Sequence, residues 1–118
     1  VIILAILAGG LLISRSLYRT SESLEKRIVQ MEVKARSGDW RAAKEELTAL
    51  KSDWEKIKGG WAMLIDHIEI DNIETTLSRM TEYIEAQQPS QALAEATVLK
   101  QFVRHIPRKE AFRLENIF

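Results

Sequence analysis

Apolar residues recur along most of the chain at the three- and four-residue intervals of an amphipathic helix. Leu17, Leu24, Ile28, Met31 and Ala35 form one stripe, which Gly38-Asp39 ends with a stop and a fresh N-cap. Ala43, Leu47, Leu50, Trp54 and Ile57 form a second, halted by Gly59-Gly60. Ile70, Ile73, Leu77, Met80 and Ile84 form a third, closed by the segment QQPS. The fourth is Ala92, Ala96, Leu99, Val103 and Ile106, stopped by Pro107. No segment alternates with a period of two over a useful length, so strands are not expected. The pattern predicts an all-α protein with four antiparallel helices.

A shift of 49 residues superimposes the first two stripes on the last two. Leu24, Ile28, Met31 and Ala35 fall on Ile73, Leu77, Met80 and Ile84. After the turn, Ala43, Leu47, Leu50, Trp54 and Ile57 fall on Ala92, Ala96, Leu99, Val103 and Ile106. The four helices therefore read as two related helical hairpins, with helices longer than those of a tetratricopeptide unit of about 34 residues.

Before the first stripe, the 13 residues VIILAILAGGLLI carry no charge. A spanning helix needs about 20 apolar residues, and a natural start upstream of Val1 is expected to supply the difference. A retained anchor is the favoured interpretation, and a cleaved signal or a buried core helix are the alternatives. Ser14-Arg15-Ser16 is a poor cleavage site, and Ala5 and Gly9 permit close helix approach within a bilayer. The expected organisation is an anchor, truncated at its start, over residues 1–14, then a four-helix domain over 15–106 made of hairpins 15–58 and 61–106. A tail follows over 107–118, where Pro107 opens a short helix. Ala111, Phe112, Leu114, Ile117 and Phe118 in that tail are expected to cover the open end of the bundle, with Arg108 or Lys109 near Asp66.

In this topology the chain end next to the apolar segment collects a basic rim: Arg15, Arg19, Lys56, Lys58, Arg104, Arg108, Lys109 and Arg113, with Trp54 and Trp61 nearby. Basic and aromatic residues suit the headgroup level of a membrane. Overall, 17 Lys and Arg balance 17 Asp and Glu, so no global field attracts nucleic acid. The chain has no cysteine, which excludes thiolate metal sites, disulfides and thiol catalysis.

Candidate chemistry is confined to the stretch LIDHIEID, Leu64 to Asp71. With the second hairpin folded, Asp66, His67 and Asp71 are expected to approach His105 at one end of the bundle. A metal site would need more ligands than these assure, and no Glu-x-x-His pair accompanies them. No nucleophile or phosphate loop supports acid–base catalysis. The stretch therefore reads as a structural ionic seam, with no cofactor or metal expected, and ion or ligand sensing by Asp66, His67, Asp71 and His105 is the alternative. Trp61, Leu64, Ile65 and Ile68 make the start of the third helix apolar almost all round. With Arg108 and Lys109 they are the candidate interaction residues.

With DWRAAKEELTALKSDWEKIKGGWAMLIDHIEIDNIE, then LSRMTEYIE, ALAEATVLK and HIPRKEAFRLENIF, the chain resembles a family of small membrane-anchored proteins of Gram-positive, largely clostridial, bacteria, grouped as a domain of unknown function. The resemblance covers nearly the whole chain, and Gly59-Gly60 stands where bulkier residues are usual in that family. Family members carry basic residues before the apolar start, which implies an N-terminus held inside and an exported helical domain. Arg15 and Arg19, just after the apolar run, favour a cytoplasmic domain by the positive-inside rule. The family implies no activity, ligand or catalytic residue.

The expected function is that of a non-enzymatic, single-pass, membrane-anchored accessory or interaction protein, its helical domain outside the cytoplasm. Its expected partners are the lipid bilayer and an integral membrane protein or a second copy of the chain, not nucleic acid.

Overall fold

A computed structural model describes residues 1–117, the side chains of Leu114, Glu115 and Ile117 excepted. It contains four helices: α1 (Ile2–Arg36), α2 (Trp40–Leu64), α3 (His67–Glu85) and α4 (Pro89–Ile117). Each packs against two neighbours, α1 on α2 and α4, α3 on α4 and, least extensively, on α2. The result is an up-down-up-down bundle. At 35 residues, α1 is about 52 Å long and nearly fills the 56 Å long axis of the molecule.

All four apolar stripes face the interior, with Ile57 alone only half-buried. The space left at their centre, among Leu24, Ile28, Leu50, Ile73, Leu77 and Leu99, is about 10 Å³, no more than one water occupies. Polar contacts join each neighbouring pair at its rim. Glu32, itself buried, takes Lys100 at 2.8 Å between α1 and α4, and Arg27 binds Asp53 at 3.0 Å between α1 and α2. Arg79 meets Glu95 at 2.9 Å between α3 and α4, and Lys44 meets Glu85 at 3.2 Å between α2 and α3.

The two hairpin turns are built alike, at the same 49-residue offset as the stripes. In the first, Asp39 N–H bonds Lys34 C=O at 3.0 Å and Gly38 N–H bonds Ala35 C=O at 3.1 Å. In the second, Gln88 N–H bonds Tyr83 C=O at 2.9 Å and Gln87 N–H bonds Ile84 C=O at 3.1 Å. Both are Schellman caps, which need a left-handed residue at the turn. Gly38 supplies it with φ 77° and Gln87 with φ 54°.

Three boundaries differ from those the sequence suggests. α1 has no break near residue 14: the apolar segment and the first core helix are one helix. α2 runs through Gly59-Gly60 to Leu64. The two glycines weaken the helix by about 1 kcal/mol each, but the turns on either side bury Trp54 and Trp61, whose rings meet edge to face at 5.9 Å, and that packing outweighs propensity. α4 does not end at Pro107, and no separate tail helix forms; the segment continues α4 to Ile117. Phe112, expected to be covered, is exposed, while Leu114, Ile117 and Phe118, expected to cover the bundle end, lie outside the described side chains.

The proline is tolerated for a specific reason. A proline inside a helix has no N–H for the carbonyl four residues earlier, here that of Val103. Ser21, buried on α1, donates its hydroxyl to Val103 C=O at 2.7 Å. The hydroxyl takes the place of the missing amide, so a buried carbonyl keeps a partner. Replacing Ser21 by Ala is expected to destabilise the chain by about 1–3 kcal/mol, the cost of an orphaned buried carbonyl. In a Pro107→Ala background an amide is available again, and the same change is expected to cost at least about 1 kcal/mol less. Denaturant unfolding of the four chains in mild detergent measures this coupling, and a value near zero would refute the substitution of hydroxyl for amide. Gln87→Gly is expected to stabilise the chain by about 1 kcal/mol, since glycine takes the left-handed conformation without steric cost. A lowered unfolding midpoint in the same assay would contradict that account of the turn.

Candidate interaction surface at one end of the bundle

The start of α1, the α2–α3 corner and the end of α4 converge at one end of the bundle. Because α2 runs on past its glycines, Trp61 falls seven residues after Trp54, on the core side of the helix. Trp61 and Ile65 are accordingly buried, and belong to the core rather than to an interaction surface. Leu64 and Ile68, on the outer side of the corner, are exposed, and so is Met63.

Asp66 is the N-cap residue of α3, in extended conformation. It therefore precedes the helix, and its side chain is 53 % exposed. Lys109 reaches it at 3.4 Å and reaches Glu69 at 3.2 Å. Those two carboxylates, Glu69 first, hold the Lys109 ammonium above its ordinary pKa. The expected pairing of the tail with Asp66 is thus present, made by α4 itself. Arg108 is exposed.

His67, Asp71 and His105 are exposed. Among the described residues, no group of three or more His, Asp or Glu side chains is placed to hold a metal ion. The polar constellation that does form lies one turn deeper and involves residues not singled out as a group in the sequence. Lys58 Nζ donates to Glu74 Oε2 at 3.0 Å and Trp54 Nε1 to the same oxygen at 3.3 Å. The helical spacing of Trp54 and Lys58 signals a shared face, but nothing local in the sequence names Glu74 as their acceptor.

Apolar exposure is distributed unevenly. Most exposed large apolar side chains lie on the first 13 residues, and Met63, Leu64, Ile68 and Phe112 lie at the same end of the body. The helix that begins the chain is long and apolar enough to cross a membrane, and only 6 % of its most apolar window is buried in the protein. A buried core helix is thereby set aside for this segment, whereas a membrane anchor and a signal sequence both fit it.

The model of one protein family, Domain of unknown function (DUF4363), matches residues 11–117. The chain belongs to the DUF4363 family. No curated protein and no solved structure is matched by the chain. The DUF4363 match begins inside the apolar segment and takes in α1 from Leu11 onward together with α2, α3 and α4.

Hydrogen bonds from Lys58 and Trp54 favour the charged form of Glu74 and hold its pKa below the ordinary 4.5. Their stabilisation is complete above that ordinary value and disappears as pH falls through the lower, folded one. Glu74 in turn holds Lys58 above 10.5, so the lysine's share is present below that value and lost at higher pH. Glu74→Gln is therefore expected to show a smaller fall in melting temperature than the parent chain between pH 7 and pH 3. An equal fall in both would remove this pair from the acid response.

Proposed function

We propose that this DUF4363 chain is a non-enzymatic, single-pass, membrane-anchored accessory protein, whose helical body is held rigidly against the membrane and works by contact. One observation carries it: α1 is a single helix whose first half exposes its apolar side chains and whose second half, from Leu17, is core. A signal sequence cleaved near Ser14 would cut through that helix and strip the core of its lead-in, which favours a retained anchor. The filled interior supports work by surface contact, since the centre leaves about 10 Å³.

The body is assigned to the outer side of the cell membrane, following the family resemblance against the local pull of Arg15 and Arg19. Its protein partner, an integral membrane protein or a second copy, is met in the plane of the bilayer. The Asp66, His67, Asp71 and His105 sensor alternative has no support in the placement of those side chains.

Expressed from its natural start, the protein is expected to stay in the membrane pellet after alkaline extraction. Leu4→Arg with Leu7→Arg is expected to release it, each arginine costing about 2.5–3.5 kcal/mol at mid-bilayer. A soluble mature form beginning near Ser16 would overturn the anchor in favour of a cleaved signal.

A further inference from the structure

Which surface of the body meets the membrane follows from the register of α4 on α1. Ser21 faces Val103, and the helices are antiparallel, so each step along α4 goes back one step along α1. By that count Lys109 is level with about Arg15 and Phe112 with about Leu12. Arg15 is the first charge after the apolar run. The stretch of α4 from Lys109 to Phe112 therefore lies at the depth where the apolar segment gives way to polar chain.

The α2–α3 corner lies at the same depth, because Lys109 is bonded to Asp66 and Glu69. On that corner Met63 is 86 % exposed, Leu64 39 % and Ile68 70 %, and Phe112 on α4 is 63 % exposed. Arg15, Arg19 and Arg108 are exposed, and by the same count they lie within about one turn of that depth. At the opposite end, the two hairpin turns, 36–41 and 85–91, expose no large apolar side chain. Apolar tips and exposed arginines at one depth, next to an apolar helix, are the composition of a surface seated at the boundary of headgroups and acyl chains. A protein partner would need no such agreement in depth with the first charge of the span.

We infer that Met63, Leu64, Ile68 and Phe112 form a second, non-spanning membrane contact, immersed in the lipid interface beside the anchor, with Arg15, Arg19 and Arg108 on anionic headgroups. This rests on the anchor proposed above. The contact gives the body two attachments to the bilayer, and so a single orientation relative to it.

The absence of cysteine in the chain makes the test direct. Single spin labels are placed at Met63→Cys, Ile68→Cys and Phe112→Cys, with Val33→Cys on the body as reference. The full chain is reconstituted into vesicles of phosphatidylcholine and phosphatidylglycerol. Collision with oxygen, enriched in lipid, is compared with collision with a water-soluble nickel chelate. The three corner labels are expected to show oxygen-to-nickel ratios several-fold above that at Val33. Ratios equal to the reference would overturn the lipid contact while leaving the anchor standing. Shielding of the corner labels from both colliders would also overturn it, and would assign the surface to a second copy of the chain. Failure of the chain to float with the vesicles would remove the anchor and this contact together.

Discussion

A proline in a helix interior leaves the carbonyl four residues earlier without its amide, and in this chain the gap at Val103 is closed by the Ser21 hydroxyl of a different helix. That one hydrogen bond does two things. It allows α4 to continue beyond Pro107, and it fixes the register of α4 against α1 at the point where α1 changes from bare helix to core. The continuation brings Lys109 to Asp66 and Glu69 and carries Phe112 to the exposed corner. A helix ended at Ile106 would leave the α2–α3 corner without its neighbour on α4.

The remaining polar contacts act in the same manner. Apolar stripes specify that helices meet, but slide easily along one another. Glu32 with Lys100, Arg27 with Asp53 and Glu74 with Trp54 and Lys58 each permit one axial position. Their value lies in registry more than in stability, since partly exposed ion pairs contribute little energy on their own.

Continuity of α1 links the bundle to its proposed function. A body attached through a flexible linker would sample many orientations above a membrane. A body whose core begins within the same helix as the apolar segment has no hinge at the junction, so its α2–α3 corner always lies beside that segment. The rigidity comes from Leu17, Ser21 and Leu24, buried about one, two and three turns after Ile13, the last exposed residue of the apolar segment.

The sequence by itself determined the fold class, the core stripes and the hairpin repeat, because helical period is a local property that burial then reads directly. Gly38-Asp39 and the segment QQPS even mark the two equivalent turns. The helix limits away from those two turns were not legible there. Gly59-Gly60 and Pro107 are stop signals by intrinsic propensity, and both were overridden by contacts distant in sequence: the Trp54–Trp61 packing and the Ser21 hydroxyl. Extending α2 moved Trp61 and Ile65 inside and placed Asp66 at a helix start, which separated the candidate residues into core, cap and surface. The sequence thus set which residues are apolar and how they recur. Only the tertiary structure decided which of them remain uncovered, because exposure depends on where each helix ends and on what lies beside it.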